Sequence, residues 1–263
     1  MRALYTASTG MAAQELNVQV ISNNIANQRT TGYKRQRAQF QDLLYQIVRR
    51  PGTATSDQGT LVPAGVSIGS GVKTVSTARV MTQGTINPTE KEYDIAIRGE
   101  GFFRIRLPDG RTGYSRDGGF ELDAQGQLVT HDGYIVEPGI TVPQNAKSVT
   151  INAQGLVQAS IPTQTAPQDL GTILLSRFVN KVGLESIGDN LFVETPASGQ
   201  AIDGAPNSEG FGNLQQGFLE ESNVNSVTEI SSLIAAQRAY EMNAKVITAT
   251  DQMLSATTQM FRG

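Results

Sequence analysis

The chain has no cysteine and a single histidine, His131. The first absence excludes a disulfide framework, an iron–sulfur cluster and a zinc–thiolate site, and is compatible with life outside the cytoplasm. The second leaves any hydrolytic triad with one available base. Charge is also scarce, at 17% of residues against about 25% in ordinary domains. Apolar residues reach 38%, below the usual ~45–50%, although that range also counts glycine. No run approaches the ~18 consecutive apolar residues of a membrane-crossing helix, so direct membrane insertion is not expected. Met1-Arg2-Ala3-Leu4 opens a polar, periodic stretch without the apolar core of a signal peptide, so any export is expected to use a route that reads no cleavable signal.

A length of 263 residues suits one large domain or two ordinary ones. The net charge of −3 points to neither a nucleic-acid binder nor an acidic tail. Its distribution is uneven: residues 1–50 carry seven basic and two acidic groups, mostly between Arg29 and Arg50. Only Tyr33, Phe40 and Tyr45 accompany those charges, and no nucleic-acid-binding signature does. A basic solvated or subunit-facing segment is the reading they support, with no nucleic-acid partner.

The two ends carry helical patterns. Leu4, Met11, Val18 and Ile25 recur every seven residues up to about Gln28, with Ala7 and Ile21 on the adjoining column. Such a repeat marks a coiled-coil seam. Near the other end, Ser226 and Glu229 have the spacing of a capping box that opens a helix to about Phe261. Leu233, Tyr240, Ile247, Leu254 and Phe261 form one seven-residue column, and Ala239, Val246, Met253 and Met260 form its neighbour. Two adjacent columns give a stripe broad enough to touch more than one partner. An amphipathic helix capping the middle of the chain is the alternative that periodicity leaves open.

Between the ends, short apolar runs such as 101–107, 148–151, 172–179 and 191–194 alternate with turn signals at Asp109-Gly110, Asp117-Gly118, Gln125-Gly126, Asp132-Gly133 and Gln154-Gly155. This pattern predicts an antiparallel all-β domain. The whole is an α+β chain: a helix and basic segment over 1–45, an extended Pro/Gly-containing linker or hairpin over 46–72, a β-rich domain over 73–215, and a helical segment over 216–263.

Several fragments imitate catalytic motifs. Gly65-Val66-Ser67-Ile68-Gly69 matches a nucleophile elbow, but an extended Gly-rich run follows it where a helix is needed. Gly99-Glu100-Gly101-Phe102-Phe103 lacks the third glycine of a dinucleotide loop and is better read as a turn entering a strand with two aromatic anchors. Asp123-Ala124-Gln125-Gly126 lacks the later ligands of a calcium loop. Glu220-Glu221 is read as acidic charge flanking the start of the second helix, where the backbone dipole favours it. No catalytic, cofactor-binding or metal-ligating set is assigned.

Three segments together resemble the flagellar axial protein family, the rod and hook subunits of the bacterial flagellum. They are Ile21-Ser22-Asn23-Asn24-Ile25-Ala26-Asn27 with Thr31-Gly32-Tyr33-Lys34; Gly99 to Phe103 with Tyr114-Ser115-Arg116-Asp117-Gly118 and Gly126-Gln127-Leu128-Val129; and Glu221-Ser222-Asn223-Val224 with Gln237-Arg238-Ala239-Tyr240 and Asp251-Gln252-Met253-Leu254. The resemblance singles out Asn24, Asn27, Gly32, Tyr33, Asn223, Gln237, Arg238 and Tyr240. Within the family, length and the segment after Tyr45 look like those of distal rod subunits, with hook or proximal rod subunits as the alternative. The resemblance implies that the terminal helices pair into an inner domain, that their seams pack on copies of the same chain, and that the resulting helical tube encloses an export channel and transmits torque. It further implies a place in the periplasm-spanning rod of the basal body. The implied partners are proximal rod and hook subunits, the P- and L-ring proteins and the flagellar type III export apparatus, with no cofactor and no enzymatic activity.

Overall fold

The computed structural model describes residues 2–52, 63–162 and 166–260, which form two compact units. The fold class is α+β, with a long helix at each end and antiparallel strands between them. One unit is drawn from residues 1–25, 36–78 and 225–263, and the other from 26–35 and 79–224.

In the first unit, α1 (Arg2–Ala26) and α2 (Ser226–Met260) are uninterrupted by proline. The capping box expected at Ser226 and Glu229 is replaced by a different cap. Asn225 Oδ1 accepts from Thr228 N at 3.0 Å, which makes Asn225 the N-cap. Glu229 is buried and turns to α1, where its Oε2 accepts from Asn24 Nδ2 at 3.1 Å. A second contact fixes the register. A Cβ added at Gly10 would lie 2.9 Å from Asn243 Nδ2, so a larger residue would push the Asn243 side chain aside. Positions 10 and 24 on α1, and 243 and 229 on α2, are each two heptads apart, so the two contacts describe one antiparallel alignment. Gly10 weakens the helix intrinsically by about 1 kcal/mol and leaves room for the Asn243 side chain against α1. The unit also contains β1 (Gln36–Asp42), β2 (Tyr45–Arg49), β3 (Val66–Gly69) and β4 (Val72–Arg79). β1 pairs with β4, and β2 pairs antiparallel with β3, placing Tyr45 opposite Gly69 and Gln46 opposite Ile68.

The second unit holds sixteen short strands among the described residues: β5 (Ile86–Pro88), β6 (Ile95–Arg98), β7 (Phe102–Arg106), β8 (Thr112–Ser115), β9 (Phe120–Leu122), β10 (Leu128–Thr130), β11 (Ile135–Val136), β12 (Ser148–Ile151), β13 (Leu156–Ser160), β14 (Gln168–Thr172), β15 (Leu175–Arg177), β16 (Glu185–Gly188), β17 (Leu191–Val193), β18 (Ile202–Gly204), β19 (Asn213–Gln216) and β20 (Phe218–Glu220). The main sheet runs β16-β17-β8-β7-β11-β10-β9, and β15 joins β7 and β18 beside that path. β12, β13 and β14 form a meander, and β6 pairs with β19 and β5 with β20. The expected Gly turns at 109–110, 125–126, 132–133 and 154–155 join consecutive paired strands, and His131 sits in the third of them. Asp117-Gly118 differs, because it links β8 to β9, which do not pair with each other.

The two aromatic anchors of β7 point to opposite sides, as period-two alternation requires. Phe103 enters a core with Ile95, Ile97, Phe120, Ile173 and Leu175, and meets the Phe120 ring edge-on at 5.0 Å. Phe102 packs with Tyr114, Phe178 and Phe192. Burial there pushes the Tyr114 hydroxyl up to about 12. Asp123 Oδ1 accepts from Gln125 N and Gln127 N at 2.9 and 2.7 Å, so the calcium-like fragment is an Asx turn. Ser67 lies in β3 with a strand following it, and the elbow geometry is absent there.

Candidate assembly surface

Asn24 is fully buried at the point where α1 meets the first strand of its unit. Its Oδ1 accepts from Gln36 N at 2.9 Å, and its Nδ2 donates to Gln36 O at 2.8 Å and to Glu229. An asparagine side chain offers one acceptor and two donors, so a single residue ties together α1, β1 and α2. Aspartate would lose the donors, and alanine all of them. Asn24→Ala is expected to lower the stability of the state in which both α1 and α2 are formed by about 2–3 kcal/mol in chemical denaturation, because buried hydrogen bonds, one of them to a carboxylate, are lost together. A change within about 0.5 kcal/mol, the range of an ordinary surface substitution, would contradict this role.

The second unit has its own buried junction. Glu220, at the end of β20, accepts from Lys34 Nζ and from Gly84 N (2.9 Å) on one carboxylate oxygen, while Arg116 Nε lies 3.4 Å from the other. The Glu220 backbone carbonyl accepts from Gly32 N at 2.8 Å, and Lys34 Nζ also donates to Thr82 O at 2.9 Å. Gly32 adopts φ +68°, and a Cβ there would come within 2.7 Å of Asp117 N. Asn223 completes the junction: its Oδ1 accepts from Arg35 N at 2.7 Å, and its Nδ2 donates to Val80 O at 2.8 Å and Thr82 O at 3.0 Å. Burial lowers the Lys34 pKa against the opposing pull of Glu220. The reading of Glu220-Glu221 as acids at a helix start is therefore corrected. Glu220 is a buried ion-pair partner on a strand, and α2 begins only at Ser226.

The motif residues thus fall into two groups. Asn24, Gly32 and Asn223 hold backbone in place. Tyr33 is buried, and Asn27 accepts from Thr30 Oγ1 at 3.1 Å in the turn after α1. Gln237, Arg238 and Tyr240 lie exposed on α2. Lys34, Arg116 and Glu220 were not singled out by sequence reading, although the first two lie inside the quoted motifs.

Of the helical columns, Ile21 is buried while Leu4, Met11, Val18 and Ile25 are half-buried. On α2, Leu233 and Ile247 are half-buried, Tyr240 and Leu254 are exposed, and Phe261 lies outside the described residues. The buried α2 positions belong to a different heptad, Glu229, Ala236 and Thr250, with the half-buried Asn243 between the last two. The neighbouring apolar column, Val246, Met253 and Met260, is exposed. An open groove of about 740 Å³ between α1 and α2 is lined by Glu15, Val18, Gln19, Gln237, Tyr240 and Glu241. Among the described residues no group of three His, Cys, Asp or Glu side chains could hold a metal ion, and no helix is long and apolar enough to cross a membrane.

Comparison with known proteins agrees along nearly the whole chain. Residues 4–34 match the family described as flagella basal body rod protein, residues 96–159 the flagellar hook protein FlgE/F/G D1 domain, and residues 215–260 the flagellar basal body rod FlgEFG protein C-terminal region. The chain is 56% identical over 260 residues to the flagellar basal-body rod protein FlgG of Caulobacter vibrioides, covering 99% of each. It is 47% identical to the protein of the same description from Borreliella burgdorferi (100% of this chain, 99% of that protein) and 36% identical to that of Bacillus subtilis (100% of each).

Proposed function

Because the chain belongs to the flagellar basal-body rod protein FlgG family, we propose that it is a structural subunit of the flagellar distal rod, polymerising into a rigid helical tube that carries torque from motor to hook and encloses the export channel. The observation that carries this reading is the exposed apolar surface of α2. Tyr240, Leu254, Val246, Met253 and Met260 face solvent, while the seam toward α1 is built of Glu229, Ala236, Asn243 and Thr250. A small, partly polar seam buries little apolar area, so the helices draw their stability from neighbouring copies. The subunit contact is heterologous and non-closing, the kind that builds a tube.

The helices over 1–45 and 216–263 then pair as a coiled-coil-like inner layer of the tube, with Leu4, Met11, Val18, Ile21, Ile25, Leu233, Tyr240, Ile247, Leu254 and Phe261 as seam residues. Residues 73–215 form the outer domain. Proximal rod and hook subunits adjoin the polymer at its ends, the P- and L-rings surround it, and the type III export apparatus delivers the chain without a cleaved signal into the periplasm-spanning rod. Its action is mechanical, not enzymatic. Circular dichroism of the dilute monomer tests the central claim. Helix content should fall well short of the 25 and 35 residues in α1 and α2 and rise on assembly; a full helical signal in a monomer that never assembles would refute it. Imaging the subunit's position in an isolated basal body separates distal rod from hook or proximal rod.

Residues 46–72 act in this proposal as a lock between neighbours. The β2–β3 ribbon supports that role: Ile47 on one face and Ile68, opposite Gln46, on the other are both exposed, as are Tyr45, Val48 and Val66. A two-stranded ribbon is marginal alone, and one with apolar residues on both faces calls for cover on both. Deleting residues 46–66, of which 53–62 lie outside the described residues, is expected to leave assembly intact and make the polymer more flexible. Filament curvature in electron micrographs reads this directly, and straight, stiff rods from the deletion would count against the lock.

A further inference from the structure

The chain holds six methionines and neither cysteine nor tryptophan, so thioethers are its readiest targets for two-electron oxidation. They are not distributed evenly. Met242, Met253 and Met260 all lie on α2, with 60%, 62% and 82% of their surface exposed, whereas Met81 packs against the core cluster of Phe102, Tyr114 and Phe192. Met253 and Met260 share one seven-residue column with Val246, on the face left uncovered by the α1 seam.

We propose that Met253 and Met260 are an oxidation-sensitive switch on subunit assembly, modified by peroxides in the free chain and protected in the polymer. The proposal rests on the self-assembly reading of α2 given above. In the reaction the thioether sulfur attacks one peroxide oxygen. The O–O bond breaks, an S–O bond forms, and the second oxygen leaves as water (or as an alcohol from an organic peroxide) after taking up a proton. Sulfur is oxidised by two electrons and the peroxide is reduced by two. The product is a polar, chiral sulfoxide where the seam needs a flexible apolar side chain. Leucine would fill such a column with no redox response, so methionine at both positions adds chemistry that packing does not require. In the free chain the sulfoxides stay hydrated and harm nothing. On assembly they must be desolvated, so the penalty falls on polymerisation alone.

The test uses the full chain treated with hydrogen peroxide, peptide mass mapping, and seeded polymerisation, with a Met253→Leu/Met260→Leu variant that keeps Met242 beside it. The expected result is one added oxygen at Met253 and Met260 well before Met81, a rise of roughly tenfold or more in critical concentration for the oxidised chain, and no response in the leucine variant. Methionine sulfoxide reductase should restore polymerisation. Equal polymerisation of the oxidised and reduced chains, or equal loss in the leucine variant, overturns the switch while leaving self-assembly intact. Failure of the reduced chain and the leucine variant alike to polymerise removes the self-assembly reading, and the switch with it.

Discussion

Glu220→Leu is expected to destabilise the chain by about 3–5 kcal/mol, the largest single loss among the substitutions considered, because it leaves two buried cations without their shared anion. Lys34 and Arg116 both face the Glu220 carboxylate from within the β-rich unit, and each is almost completely buried. The remaining acid with a pull on both is Glu100, which is exposed and paired with Lys181. Lys34→Met should cost less, since Arg116 still neutralises Glu220 and the methionine fills much of the lysine stem's volume. The pH dependence separates this account from simple loss of packing. The folded Lys34 pKa is lowered from 10.5, with burial the largest cause and Glu220 opposing it. Between that lowered value and 10.5 the unfolded chain binds more protons than the folded one, so this group's contribution to stability rises with pH. Removing Glu220 takes away the opposing attraction and extends the window to lower pH. The deficit of Glu220→Leu should therefore shrink as pH is raised toward 10, and the trend should disappear in the Lys34→Met/Glu220→Leu double variant. Urea unfolding at a series of pH values measures both. A deficit independent of pH would mean that lost contacts, not buried charge, account for the change.

The helices and hairpins were legible because their signals are local. A seven-residue repeat and a chain of X-Gly turns each specify an element from residues adjacent in sequence. The two buried junctions were not legible for the opposite reason. Lys34 and Glu220 are separated by 186 positions, and nothing near Glu220 distinguishes a buried partner from an acid flanking a helix. Ser226 and Glu229 mimicked a capping box, yet Asn225 caps the helix and Glu229 faces Asn24. Three of the motif residues that the family resemblance singled out, Asn24, Gly32 and Asn223, hold the backbone in the stretches that follow α1 and precede α2. Hydrophobic periodicity located the apolar columns of α2 but could not say what covers them. The heptad nearest α1 is Glu229, Ala236, Asn243 and Thr250, and residues that small or polar do not register in an apolar pattern. Their own seven-residue spacing was the available signal.

That division of α2 leads to the second large effect. Tyr240→Glu combined with Leu254→Glu should leave the isolated chain within about 1 kcal/mol of its original stability, because both side chains are already exposed, Tyr240 in the open groove beside α1, and neither belongs to the buried column of Glu229, Ala236 and Thr250. Assembly should fail. Each added carboxylate would have to be desolvated against a neighbouring copy without a partner, at several kcal/mol apiece. Since each 1.4 kcal/mol is tenfold in an equilibrium constant, two such charges raise the critical concentration by roughly a thousandfold or more. Ala236→Leu supplies the opposite pattern. It overpacks a buried position and should cost about 1–3 kcal/mol per subunit in the assembled state, where the helices are formed, leaving the outward columns chemically unchanged. Sedimentation of both variants, with denaturant melting of the polymer that forms, distinguishes a face built for the molecule's own interior, where Ala236→Leu polymer melts earlier, from one built for its neighbours, where the double glutamate variant gives no polymer. Normal polymerisation of the double glutamate variant would place the subunit contact somewhere other than these columns.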